Sequence, residues 1–476
     1  MATGAPGALI DSLEDNGPML RSLSIALLLL LLTSPTALAW GDARFAAGSR
    51  AEAASGAASL PAAAGVLRAG AVDRTSVSLT ASYDVRATLR FDVPSISVVA
   101  DLSVQNTSGG PIDYLELNLA PARIGRMRLD QAKVDGDPVT VTVIDQTLRV
   151  PLGGVLADGG TVPVRIGYTG WFNTSTGGSN WMFAKANGVV QGYRWIPWIS
   201  KPRAFDRPNF GDPYVTPVSP SVKVTFTTDR TLRIASTGRR TSTSGLVQVF
   251  EASNVRDFNF TAAPDYRTST GYAGDTRIVV YFRTGSASTI MTAARDAISR
   301  FESLVGPYPH PDFIIGQSGA GYGLESPGHI WIPSGTATSS LRYLVTHETA
   351  HQWFYATVGN DQASEPYADE AAADFLTRFA LDLRRSSNCS TSRLDLSIYR
   401  YSGACYYEIV YIQGGNFLDD LRQRIGGIAF WAGLRDYYAT WRFKLGGTEQ
   451  LLRTLDEHTP QDLEPTYRTR FARYFF

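Results

Sequence analysis

The chain has 476 residues, enough for about two or three domains, each with a complete core. Its 44 lysines and arginines balance 44 aspartates and glutamates, so no electrostatic case exists for nucleic acid or an anionic membrane as partner. Only five of the basic residues are lysines, a bias that reads as genome composition before it reads as function.

Residues 23–32 are an almost unbroken run of apolar side chains, preceded by Arg21 and followed by Ala37-Leu38-Ala39. This is the pattern of a secretory signal peptide over 1–39, too short and wrongly flanked for a stable membrane span. An uncleaved signal anchor is the alternative. Met19 opens a more ordinary n-region and competes with Met1 as the start. No later stretch is apolar for long enough to cross a bilayer, so the sequence predicts an exported, secreted or extracytoplasmic chain. Cys389 and Cys405 then meet an oxidising compartment, where a pair this close most simply forms one disulfide, two buried free thiols being the other option. Four Asn-x-Ser/Thr patterns, at 106, 173, 259 and 388, matter only in a host that glycosylates.

Residues 40–73 are rich in alanine, glycine and serine without apolar period and read as a flexible lead-in. From 74 to 266 the pattern alternates. Strands are predicted at 76–83, 87–93, 96–104, 114–119, 139–144, 148–152, 162–167, 222–227 and 246–251, separated by Gly, Asp and Pro turns. Short strands at this spacing indicate a β-sandwich or an open, curved β domain. The stretch 192–214 is too rich in proline and aromatics for a regular strand, and reads both as a loop packed by Trp195 and Trp198 and as a wall of a cleft.

At about 285 alternation gives way to helical spacing. A strand is expected at 276–282, a helix at 287–305, another strand at 313–316, and helices through 406–424, 427–442 and 447–457. Between them lies His347-Glu348-Thr-Ala-His351. On a helix, residues four apart share a face, so both imidazoles can address one ion while Glu348 sits beside them. Eighteen residues after His351 comes Glu370, on a second helical pattern that Pro366 suits as a start. Two histidines and a glutamate are a donor set for catalytic zinc, with one position left for water. The competing reading of the first motif alone is a chance pattern with solvated histidines. Glu348 cannot easily ligate the same ion as its neighbours and is placed to act as general base. His310, His329 and His458 read as structural or exposed.

Several stretches together resemble the aminopeptidase N family of gluzincin zinc metallopeptidases. They are His347-Glu-Thr-Ala-His-Gln-Trp-Phe354 with Glu370, Phe301-Glu-Ser-Leu-Val-Gly-Pro-Tyr-Pro309, Gly323-Leu-Glu325-Ser-Pro-Gly328, Tyr411-Ile-Gln-Gly414 and the run 426–437. The resemblance covers roughly 75–476 and implies an α+β multidomain fold: an N-terminal β-sandwich or saddle domain over 74–266, then a thermolysin-like, mainly α-helical catalytic domain over 267–476. With the chain ending at Phe476, it implies a short form without the family's C-terminal helical-repeat domain. It further implies one Zn2+ held by His347, His351 and Glu370, peptide substrates, and hydrolysis at the N-terminus. Glu348 would be the base, and Tyr411 the donor to the oxyanion, with Tyr401, Tyr406 and Tyr407 as nearby competitors. Glu325, on a strand opened by Gly323, would pair with the substrate's free α-ammonium, the alternative being a structural strand glutamate. The family's second amine-binding residue is a Gln or Glu in the β domain, and 195–203 offers neither. Asp374, one turn beyond Glu370, would orient a ligand histidine or form an ion pair with Arg378.

Overall fold

The computed structural model describes residues 67–476. The signal-peptide reading and the lead-in up to residue 66 lie outside the described residues. The end of that lead-in is already tied down. Leu67–Arg68 pairs with Val155 and Leu156, and the backbone N–H groups of Val72, Asp73 and Arg74 all donate to the Asp113 carboxylate.

Strict alternation builds the first half. In Leu79–Arg90 every second side chain (Leu79, Ala81, Tyr83, Val85, Ala87, Leu89) turns inward, and the antiparallel partner Ser95–Asn106 answers with Ile96, Val98, Ala100, Leu102 and Val104. The sequence pattern suggested two strands here, at 76–83 and 87–93; the structure has one, which ends where Phe91–Pro94 turns. These strands lie near the centre of an eight-stranded sheet that also contains Thr161–Trp171 and Val222–Thr228. A five-stranded sheet around Thr147–Leu156 and Ile112–Asn118 faces it across one apolar core. A four-stranded sheet follows, of Phe183–Ala186, Val189–Gly192, Phe260–Ala263 and Arg233–Ser236. Its short, mostly buried strands carry no alternation, so they have no periodic signature in the sequence.

The second half opens with a five-stranded sheet of Arg267–Ala273, Thr276–Phe282, Asp312–Ser318, His329–Pro333 and Leu324–Ser326. Helices pack on this sheet and make up much of the chain that follows it. Ala287–Leu304 packs on it through Ile290, Ala294, Ile298 and Phe301, and Ser286 caps that helix by accepting from the Thr289 N–H. Thr338–Ala350, Ala372–Leu381, Gly414–Ile425, Gly427–Trp441, Thr448–Glu457 and Glu464–Arg470 complete a second apolar core. Cys389 and Cys405 are disulfide-bonded. No helix among the described residues is long and apolar enough to cross a membrane.

The small four-stranded sheet lies directly on the five-stranded one. At Gly316 a Cβ would come within 2.4 Å of Thr261 Oγ1 and 3.1 Å of the Ala235 Cβ, so only glycine permits this approach. Gln191 fixes the same junction: its Oε1 accepts from Gly319 N (2.7 Å) and its Nε2 donates to Ala320 O (3.1 Å). The strand carrying Glu325 begins just beyond.

Candidate metal and peptide site

His347 and His351 lie one turn apart at the C-terminal end of Thr338–Ala350. Their Nε2 atoms face each other at 3.2 Å, and Glu370 Oε2 lies 3.4 Å from the first and 3.3 Å from the second. Donors bound tetrahedrally to one zinc at roughly 2.0–2.1 Å stand about 3.3–3.4 Å from one another. All three side chains are buried, and Glu370 Oε2 has no hydrogen-bond partner among the described residues. Burial disfavours charge on His351, yet the carboxylates of Asp369 and Glu370 outweigh it and raise its pKa well above the usual value. The pocket is built to hold positive charge, and its donor set and spacing fit zinc.

Of the two readings of Asp374, the ion pair with Arg378 is the one observed. Asp374 does not reach a histidine. Its carboxylate takes the Tyr343 hydroxyl, Arg378 and Arg385, the last at 3.1 Å. Asp369 is the residue that accepts from His351 Nδ1, at 2.7 Å. The reason is local: Tyr367–Ala371 is a wide π-helical turn, not a regular α-helical one, and it brings the consecutive residues 369 and 370 onto His351 together. Gln362 Nε2 then donates to Asp369 Oδ2 (2.8 Å) and to Glu325 Oε1 (3.2 Å), and Arg194 donates to Gln362 Oε1 (3.2 Å). Arg194 is itself buried, bonded to the Tyr355 hydroxyl and facing Asp257. Tyr355, whose hydroxyl donates to Asp257, holds φ at 114°, a conformation that bulky residues rarely adopt.

Glu348 is buried beside the histidines, and burial pushes its carboxyl up to about 7 against the pull of His347 and His351. Gly323 makes room for it: a Cβ there would lie 2.1 Å from Glu348 Oε1. Glu325, Glu348 and His351 each present an oxygen or nitrogen within 4.8 Å of the others. Thus Glu325, on Leu324–Ser326, opens onto the same space. Tyr411 stacks its ring on that of His347, with centroids 5.5 Å apart, and Tyr343 stacks on His347 at 6.1 Å. Tyr411 stands in a second π-helical stretch, Tyr407–Gln413. The glycine that follows has a steric reason: a Cβ on Gly414 would meet the Ala371 Cβ at 2.6 Å, next to Glu370. Among the competitors, Tyr401 donates to no group at this site and Tyr407 is bonded by Arg385.

The remaining histidines stand apart. His329 is buried, with Nδ1 at 3.1 Å from Ile314 O and Nε2 accepting from Trp331 Nε1, and His458 faces Asp436. The proline-rich stretch 192–214 packs into the core as the loop reading expected. Trp195 and Trp198 are core residues, and Asp212 is buried. Asp369 and Asp212 were both missed in the sequence. Adjacency to Glu370 was a signal for the first; the second has none, because only the tertiary fold buries it.

No family model matches the chain, and no curated protein does so. Solved structures do. An M1 zinc metallopeptidase from Deinococcus radiodurans, in a mutant bound to a Tyr-Ser-Ala substrate, is 19% identical over 82% of this chain and 94% of its own, with a TM-score of 0.63. A two-domain M1 zinc metallopeptidase mutant bound to L-tryptophan is 18% identical over 84% and 94%, with a TM-score of 0.63. Another M1 zinc metallopeptidase structure from Deinococcus radiodurans is 18% identical over 80% of this chain and 91% of its own, with a TM-score of 0.59. The chain shares their fold.

Proposed function

We propose that the chain is an exported zinc-dependent metallopeptidase of the aminopeptidase kind, which removes N-terminal residues from peptides. The observation that carries this reading is the triangle of His347, His351 and Glu370 donors at 3.2–3.4 Å with Glu348 and Glu325 opening onto the same space. The structural neighbours bound to a tripeptide substrate and to L-tryptophan support it. Export rests on the apolar run 23–32 and Ala37-Leu38-Ala39.

His347, His351 and Glu370 would hold the zinc, which when bound supplies Lewis acidity, lowering the pKa of water towards about 7 and polarising the scissile carbonyl. Asp369 fixes the His351 ring with Nε2 towards the cavity. The Glu348 carboxylate accepts a proton from the attacking water and returns it to the leaving amine. The Tyr411 hydroxyl donates to the oxygen that gains charge in the transition state. Glu325 pairs with the free α-ammonium and so restricts cleavage to the chain end. Burial of the three metal-holding residues, Glu348, Asp369 and Glu325, with Tyr411 partly buried beside them, limits screening by bulk water.

The test is release of a fluorogenic leaving group from aminoacyl amides before and after a zinc chelator, with zinc added back. Chelator-sensitive, zinc-restored release supports the reading. Activity indifferent to chelation, or none with one equivalent of zinc bound, contradicts it.

A further inference from the structure

Two tyrosine rings lie near-parallel to the His347 imidazole, Tyr411 with centroids 5.5 Å apart and Tyr343 with centroids 6.1 Å apart. Tyr407 packs against Tyr411 in turn, at 4.8 Å. Arg385 joins the two ends of this row. Its Nη1 donates to the Tyr407 hydroxyl and its Nη2 to the Tyr343 hydroxyl, each at 2.6 Å. The contacts thus close a circuit, from His347 through Tyr343, Arg385, Tyr407 and Tyr411 back to His347. Arg385 is its one member without a ring.

Asp374, fully buried, ties the circuit to the fold. It accepts from the Tyr343 hydroxyl, from Arg385 Nη2 (3.1 Å) and from Arg378 Nε (2.5 Å). Arg378 Nη2 also donates to the carbonyls of Tyr411 and Ile412, both at 2.9 Å. Both carbonyls lie in the π-helical stretch Tyr407–Gln413. One buried carboxylate therefore fixes the Tyr411 backbone through Arg378 and its ring through Arg385 and Tyr407. The loop bearing Arg385 is fastened as well. Asn416 Nδ2 donates to Arg385 O (2.9 Å), and Glu408 accepts from the N–H groups of Asn388 (2.6 Å) and Cys389 (2.7 Å). Cys389 is in turn disulfide-bonded to Cys405, two residues before Tyr407.

We propose that Arg385 is a positioning residue, whose guanidinium fork holds Tyr343 and Tyr407 so that Tyr411 keeps its hydroxyl aimed at the reacting carbonyl oxygen. The inference rests on the role given above to Tyr411 and adds the group that sets its geometry. An oxyanion donor acts only from about 2.7–3.1 Å, so a small rotation of the ring removes its benefit. Two hydroxyls bonded to separate nitrogens suit a planar fork; the single ammonium of a lysine does not reproduce that geometry. With 34% of its side chain exposed, Arg385 can also be truncated without opening a hole in the apolar core.

The test measures kcat and KM for a leucyl amide and for the tripeptide Leu-Gly-Gly, with zinc content measured alongside. The proteins compared are the wild type, Arg385→Ala, Arg385→Lys, Tyr411→Phe and the double variant of Arg385→Ala with Tyr411→Phe. Arg385→Ala should lower kcat by roughly tenfold to hundredfold for both substrates, with KM within about twofold and zinc unchanged. Arg385→Lys should recover little of that loss. In the Tyr411→Phe background, Arg385→Ala should cost less than about twofold more, because its effect runs through the missing hydroxyl. A full extra loss in the double variant overturns the proposal, as does near wild-type kcat in Arg385→Ala or Arg385→Lys. So does a KM rise confined to the tripeptide, which would make Arg385 a contact for the substrate's terminal carboxylate, or loss of zinc from either Arg385 variant. Wild-type kcat in Tyr411→Phe would remove the role of Tyr411 and this inference with it, while leaving the zinc peptidase.

Discussion

Asp369 Oδ1 lies 2.7 Å from His351 Nδ1, and that contact decides which nitrogen of the ring faces Glu370. With Nδ1 donating to the carboxylate, Nε2 is left with its lone pair towards the cavity. Replacing Asp369 with Asn keeps the shape but removes the charge that stabilises this tautomer. Asp369→Asn should weaken zinc binding by about 10–100-fold. Competition with a fluorescent chelator measures it. Unchanged affinity would mean that Asp369 serves only Gln362.

Glu348 is predicted to act on the proton and not on the metal. Glu348→Gln should lower kcat by about 10²–10⁴-fold at full zinc occupancy. Steady-state kinetics alongside metal analysis checks this. Loss of zinc together with activity would place Glu348 among the ligands instead.

Tyr411 is expected to help in the transition state alone. Tyr411→Phe keeps the ring stacked on His347 and deletes only the hydroxyl. It should lower kcat by about 10²–10³-fold with KM little changed. A KM effect at constant kcat would instead make Tyr411 a ground-state contact.

Away from the site, Asp312 gives a pH-dependent stability. Burial would raise its pKa, but Arg277 and Arg239 outweigh burial and hold it at about 2, below the ordinary 3.8. A folded-state pKa below the unfolded one stabilises above about pH 4, and the contribution is lost as pH falls towards 2. Both arginines are more than a third exposed, so solvent screening reduces the effect. Asp312→Asn should cost about 1 kcal/mol at pH 7, the gap from the wild type narrowing below pH 4. Denaturant unfolding between pH 3 and 7 tests it; a constant gap across that range would contradict the ion-pair account.

The parts of this architecture that repeat were legible in the sequence. Leu79–Arg90 and Ser95–Asn106 announce their inward faces by alternation, and His347, Glu348 and His351 share a side of one turn by helical spacing. What escaped depends on departures from period or on long-range contact. A regular helix puts Asp374 one turn past Glu370, where it suits either a ligand histidine or Arg378; it pairs with Arg378, and the π-helical turn at Tyr367–Ala371 brings Asp369 to His351. Phe183–Ala186, Val189–Gly192 and Phe260–Ala263 are short and mostly buried on both faces, so they do not alternate. Asp212 lies in a loop with no period, and its burial depends on long-range packing by Phe210 and Tyr214 and on the Asn209 hydrogen bonds.

The most direct measurement is the ratio of kcat/KM for a leucyl amide and its N-acetylated copy on the zinc-loaded chain. An acid at Glu325, held open to the same space as the general base, predicts strong preference for the free amine, about 10²-fold or more. A ratio near one would contradict it, and would make the zinc site that of an endopeptidase on the same scaffold.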